Sequence, residues 1–179
     1  KGLYVSLEEN TDNIRSQAKK FGWNFEKLEK ERKLILMTVP VKEMKDNVVQ
    51  EIIKYVENNG IKRLVIDSLS ALAINIPSTY SKITDMNDIY IKRFIYNFIN
   101  DLRAVKGTST LLISQAGEGE LSRDGVSEFI CDGIVLINYE SIGGDYSRHL
   151  IVRKMRQVKN DEDVHPVEIG RSGLVVHDL

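Results

Sequence analysis

The chain has one cysteine, Cys131, and no CxxC or Cys/His box, so it can close no internal disulfide and offers no thiolate cage for a metal. A reducing compartment, the cytoplasm, is the expectation. It has no apolar run long enough to span a bilayer, and its first residues, KGLYVSLEEN, lack the basic flank and apolar stretch of a secretory signal. No membrane association is expected. An excess of positive charge is also missing: 25 Lys and Arg stand against 26 Asp and Glu, for a net charge of -1. No global field would hold a polyanion, which weighs against nucleic acid. Internal repeats, linkers and low-complexity segments are absent as well.

What is there reads as one domain over residues 1–179, because 42% hydrophobic residues in a chain of 179 can build one substantial core. Leu3 to Leu7 predicts a strand, followed by Glu8-Glu9 and by Asn10-Thr11, which suit a helix start. Ile14, Ala18 and Phe21 share a helical face, and Gly22 ends the run. The unit then repeats. A strand from Leu34 to Val39 stops at Pro40, and a helix bearing Val49, Ile52, Ile53 and Val56 stops at Asn58-Asn59-Gly60.

Leu64-Val65-Ile66 is continuously apolar, as in a strand buried on both faces, and it ends on Asp67-Ser68. From Asp88 to Val105 the residues Ile91, Phe94, Ile95, Phe98, Ile99, Leu102 and Val105 follow helical spacing. Leu111-Leu112-Ile113 then predicts a buried strand ending on Ser114-Gln115. After a mobile-looking stretch, AGEGELSRDGVSE, strands are expected at Ile134–Ile137, Leu150–Val152 and Leu174–Val176 without intervening helices. Alternating β and α followed by hairpin-like strands predicts an α/β fold, a mainly parallel sheet flanked by helices with an antiparallel extension at the C-terminal end.

Ligands of an open parallel sheet bind outside the carboxyl ends of its strands. Here those ends carry Glu8-Glu9, Asp67-Ser68 and Ser114-Gln115. An apolar strand ending in Asp is the physical form of the Walker B element, in which a fixed carboxylate holds hydrated magnesium beside nucleotide phosphates, and Asp67 is the candidate. Of two consecutive carboxylates, one can orient a water for attack on a phosphate while its neighbour makes a structural bond; a solvated helix entry is the alternative. No G-x-x-x-x-G-K-[ST] occurs, so these residues contain no phosphate-cradling loop of that kind.

YVSLEE, FGW, LVIDSLSAL, SRDGVSEFICDGIVLI, LIVRKMR and HPVEIGRSGLVVHD, in this order and spacing, resemble the KaiC-like branch of the RecA-superfamily ATPases along nearly the whole chain. The resemblance implies a RecA-like core with its N-terminal P-loop portion missing, ATP and Mg2+ as ligands, and nucleotide bound between the subunits of a homo-oligomeric ring, usually a hexamer. It implies that Glu8 and Glu9 are the catalytic acids and Asp67 the Walker B residue. Lys20 and Phe21 fall near the nucleotide, where the Phe21 ring could stack on a base or instead pack in the core. Ser114 and Gln115, at the third polar strand end, are expected to contact the nucleotide as well.

Lys154-Met155-Arg156 match the K-[LM]-R segment that delivers cations to the neighbouring subunit's γ-phosphate, although an exposed edge strand would show the same alternation. Gln157-Val158, Asn160 and Arg171 depart from the family pattern, which often has Gly-Thr, a His and an acid there.

Two other functions share the frame. A RadA/RecA-type recombination or repair ATPase would need basic DNA-gripping loops, yet Ala116–Glu128 carries Glu118, Glu120, Asp124 and Glu128 against Arg123 alone. A non-catalytic interaction module would explain the absent P-loop but gives the glutamates and the K-[LM]-R cations no use. The expected output is switching or timing by slow hydrolysis, through a signalling partner that the sequence does not name.

Overall fold

The structure is a computed structural model that describes residues 1–40, 47–74, 87–117, 119–139 and 147–178. They divide into two compact units: Lys1–Lys19 with Asn24–Ile130, and Lys20–Trp23 with Cys131–Leu179.

The first unit holds a parallel sheet of four strands, β1 (Gly2–Ser6), β2 (Leu34–Thr38), β3 (Arg63–Asp67) and β4 (Ser109–Ile113), in the order β2-β1-β3-β4. Between them run α1 (Thr11–Lys20), α2 (Phe25–Lys30), α3 (Val48–Asn58), α4 (Leu69–Ile74) and α5 (Asn87–Ala104), and α6 (Ser127–Ile130) follows β4. Asn10 caps α1 by accepting from the Asn13 N–H at 2.9 Å, as its side-chain chemistry predicts. The expected stops at Gly22, Gly60 and Gly107 all have positive φ, a conformation that costs a glycine little.

Register explains the core. Leu3 pairs with Leu64 and Val5 with Ile66, so these four residues share one face of the sheet. They are buried with Val49, Ile52 and Val56 of α3 and Ile95, Phe98 and Ile99 of α5. The opposite face carries Tyr4, Leu36, Val65 and Leu111 in one row, and it is covered less. Val65 is half-buried, while Leu111 is 60% and Ile113 37% exposed, so the continuous apolar runs do not correspond to strands buried on both sides.

The second unit contains an antiparallel sheet in the order β5 (Gly133–Tyr139), β6 (Arg148–Met155), β7 (His165–Gly170) and β8 (Gly173–Val176). Among the described residues these strands form a sheet of their own, hydrogen-bonded separately from the parallel one. A register shift between Ile134 and Val135 leaves Arg153 of β6 without a cross-strand partner residue, a bulge that re-aims the strand end. Trp23 joins this unit by donating from Nε1 to the Ser172 carbonyl at 3.0 Å.

Several elements escape the periodicity. β7 contains Pro166 and carries polar residues, and α2, α4 and α6 span 6, 6 and 4 residues, too short for a face to repeat. Phe21 lies beyond the end of α1 rather than on its apolar face. The stretch expected to be mobile is organised by side chains: Asp124 Oδ1 accepts from the N–H groups of Val126 at 2.9 Å and Ser127 at 2.6 Å. Ser122 donates to Glu128 and accepts from the Gly125 N–H, and Ser122 and Asp124 are buried. These are local turn bonds, invisible to hydrophobic patterning. Glu118 of that stretch lies outside the described residues.

Candidate functional site

Chain direction locates the site. From β1 the chain moves outward to β2, whereas from β3 it moves the other way to β4. Right-handed crossovers therefore carry α1 and α2 over one face and α5 over the other. The connections leaving the neighbouring strands β1 and β3 part company at their C-terminal ends, the position at which open parallel sheets generally bind ligands. Glu8 and Glu9 leave β1 on one side of it, and Asp67 and Ser68 leave β3 on the other. The Leu7 N–H donates to the Asp67 carbonyl at 2.7 Å, so the two strand ends are pinned together.

The two glutamates have different partners. Glu8 is exposed, and its Oε1 accepts from the Ser68 hydroxyl. Ser68 itself is 2% exposed and accepts from the Ala71 N–H at 3.0 Å, so the donor to Glu8 is fixed by the start of α4. Glu9 turns toward α1: its Oε2 accepts from the Gln17 amide at 2.6 Å, and its backbone N–H donates to the buried Ser6 Oγ at 2.9 Å. The Glu9 carbonyl accepts from Thr38 Oγ1 at 3.3 Å, which ties the loop to β2 as well.

Asp67 sits half-buried at the end of β3, and its Oδ2 accepts from the Tyr4 hydroxyl. Burial, then that hydrogen bond, then the charges of Asp67, Glu9 and Glu8 push the Tyr4 phenol well above its ordinary value. Tyr4 is therefore a neutral donor at the floor of a site whose three nearby acids are Glu8, Glu9 and Asp67. At the end of β4, the Gln115 N–H donates to Ser70 Oγ at 3.0 Å, and Ser70 Oγ lies 3.4 Å from Ser114 Oγ. Ser114 and Gln115 thereby join the start of α4 at Ser70, two residues from Ser68.

The remaining candidates belong to the second unit. Lys20 is exposed at the end of α1, and the half-buried Phe21 ring lies 5.3 Å from that of Trp23 at 32°. Lys154 and Met155 close β6 opposite Ile134 and Gly133, just past the bulge. Arg156 follows, exposed; its backbone N–H donates to the Asp132 carbonyl at 2.7 Å and its Nη1 lies 3.3 Å from Asp132 Oδ1. Asp161 and Glu168 each approach an imidazole, of His165 and His177 respectively, at 3.5 Å.

Reasoning from sequence overlooked Tyr4 and Gln17. A tyrosine inside an otherwise apolar strand was a usable signal, because a buried phenol needs a partner. Gln17 left none, since an amide on a helix surface is unremarkable until its neighbour is known.

The donor set consists of carboxylates and hydroxyls, hard oxygens that suit magnesium rather than a thiolate- or imidazole-loving metal. Asp67, whose Oδ1 carries no hydrogen bond among the described residues, has an open carboxylate oxygen that could serve as such a donor. Among the described residues no cluster of three or more His, Cys, Asp or Glu forms a metal cage. Among the described residues no helix is long and apolar enough to cross a membrane.

Comparison with known proteins bears on the reading. A family model described as "ATPase: KaiC" matches residues 1–179. UPF0273 protein PF1931 of Pyrococcus furiosus is 28% identical over 193 residues, covering 98% of this chain and 73% of that protein. A UPF0273 protein of Thermotoga maritima is 29% identical, with 98% and 75% covered. The crystal structure of KaiC-like protein PH0186 from Pyrococcus horikoshii OT3 superposes with a TM-score of 0.77 at 31% identity, over 99% of this chain and 75% of that one.

Proposed function

The chain belongs to the KaiC family of ATPases, and from that premise we propose that it is the hydrolytic part of a regulatory ATPase that holds ATP between subunits of a ring and hydrolyses it slowly. The observation that carries the reading is the meeting of the C-terminal ends of β1 and β3, where Glu8 accepts from Ser68, the residue that follows Asp67.

Their surroundings divide the labour between the two glutamates. Glu8 is exposed and held by one hydroxyl, which leaves carboxylate lone pairs to orient a water for attack on the γ-phosphate. Glu9 is engaged by Gln17 and by its own backbone contacts, and it keeps the β1–α1 turn in shape. Asp67 would hold hydrated magnesium, which, when bound, neutralises charge developing on the phosphates. Ser114 and Gln115, linked to Ser70, report on the nucleotide at the third strand end.

Lys154 and Arg156 act on the neighbouring subunit's nucleotide, and two cations arriving in trans would make hydrolysis depend on assembly. Phe21, whose ring lies 5.3 Å from that of Trp23, supplies an aromatic surface for the base, and Lys20 a charge beside it in sequence.

The test is Glu8→Gln and Glu9→Gln in the full-length protein, with ATP binding and phosphate release measured separately. Loss of a positioned base costs roughly 10²–10⁴ in rate. E8Q should lose turnover on that scale while binding ATP normally, and E9Q should retain more activity than E8Q. Wild-type turnover in E8Q would refute the assignment.

A further inference from the structure

We propose that Tyr4 is a positioning residue for magnesium: its hydroxyl pins one oxygen of Asp67 so that the other is presented to the hydrated cation. This rests on the reading of Asp67 given above.

The geometry follows from strand register. Tyr4 pairs with Val65, and Asp67 lies two residues further along β3 on the same face. A diagonal of that kind is too long for a short side chain but within reach of a tyrosine. The Tyr4 hydroxyl reaches Asp67 Oδ2 and donates to it, while Oδ1 has no hydrogen bond among the described residues. One carboxylate oxygen is therefore occupied and the other is open.

A carboxylate at a strand end has a broad terminal torsion and no preferred orientation of its own. A fixed donor removes that freedom. The donor here is held by a central strand, since β1 is bonded on both sides, to β2 and β3, and Tyr4 itself is half-buried between Leu3 and Val5, which are buried in the core. Phenylalanine would fill the same space and leave Asp67 Oδ2 without its donor. The site thus distinguishes a residue needed for packing from one needed for its hydroxyl.

Partners that orient a metal-binding carboxylate typically matter by 10–100-fold in metal affinity, and because Asp67 would act through water the lower end, about tenfold, is expected here. The experiment uses the full-length protein and a fluorescent ATP analogue, with affinity measured in EDTA and across a magnesium titration. Tyr4→Phe should bind the analogue in EDTA as wild type does, while the magnesium concentration giving half of the metal-dependent gain rises about tenfold. Tyr4→Leu, which also lacks the hydroxyl but differs in shape, should show the same shift.

Asp67→Asn should raise that midpoint by itself, and adding Tyr4→Phe to it should change nothing further, because the two residues then have no shared task. An unchanged midpoint in Y4F, or effects of Y4F and D67N that simply add, overturns the proposal while leaving the reading of Asp67 standing. A wild-type protein whose analogue binding ignores magnesium, or a D67N variant that behaves as wild type, overturns the reading of Asp67 and this proposal with it.

Discussion

Replacing Gly173 by alanine tests how firmly the segment containing Phe21 is anchored. Gly173 has φ +128°, and a Cβ built on it would lie 2.8 Å from Cζ2 of Trp23. Two costs follow. A non-glycine residue at such a backbone angle is strained by roughly 1–3 kcal/mol. The indole must also move, and its 3.0 Å hydrogen bond to the Ser172 carbonyl loosens, for about 1 kcal/mol more. The sum is about 2–4 kcal/mol, which at a urea m-value of about 2 kcal/mol/M lowers the denaturation midpoint by about 1–2 M.

Trp23 is the only tryptophan, so its emission spectrum reads the contact directly while circular dichroism follows unfolding. In a Trp23→Ala background the ring is gone and G173A should cost only the backbone strain. The reasoning is refuted if G173A leaves emission and midpoint unchanged, or if it costs the same with and without the indole. Because Phe21 packs against Trp23, a displaced indole should also weaken binding of an ATP analogue if Phe21 contacts the base.

Other consequences can be measured alongside. Arg15 grips Glu29 through two hydrogen bonds of 2.8 and 2.9 Å, and that grip holds the Glu29 carboxyl below the usual carboxylate range. A depressed carboxylate stabilises the fold above its unfolded pKa and loses that contribution as pH falls through its folded one. For a partly exposed pair worth up to about 1 kcal/mol, Glu29→Gln should lower Tm by about 2–4 °C near neutral pH, a gap that closes as pH falls below the usual carboxylate range; a gap independent of pH would count against the pairing. Mixing a Lys154→Ala, Arg156→Ala variant with E8Q subunits should restore part of the lost turnover if the cations act on a neighbour's nucleotide, and no restoration at any ratio would place them in cis.

Much of the architecture was legible in one dimension. Alternating apolar strands and helical faces announced β1 to β4 with α1, α3 and α5, and the terminating glycines with positive φ lie where the helices stop. The acids at the ends of β1 and β3 were legible too, because a strand that runs into Asp or Glu displays its chemistry in order along the chain. Illegible were β7, the short helices and the turn network of Ser122 and Asp124, all of which depend on hydrogen bonds rather than on a hydrophobic period.

The sequence by itself determined the α/β class, the kinship with KaiC-like ATPases and the set of acids in the candidate site, since periodicity and motif order are properties of a line. Only the tertiary structure decided what each acid can do. Register across β1 and β3 sets Tyr4 against Asp67, the buried start of α4 sets Ser68 against Glu8, and α1 sets Gln17 against Glu9. These partners stand 63, 60 and 8 residues apart. A carboxylate's role follows from which donor holds it and which lone pairs stay open, and those are facts of distance in space.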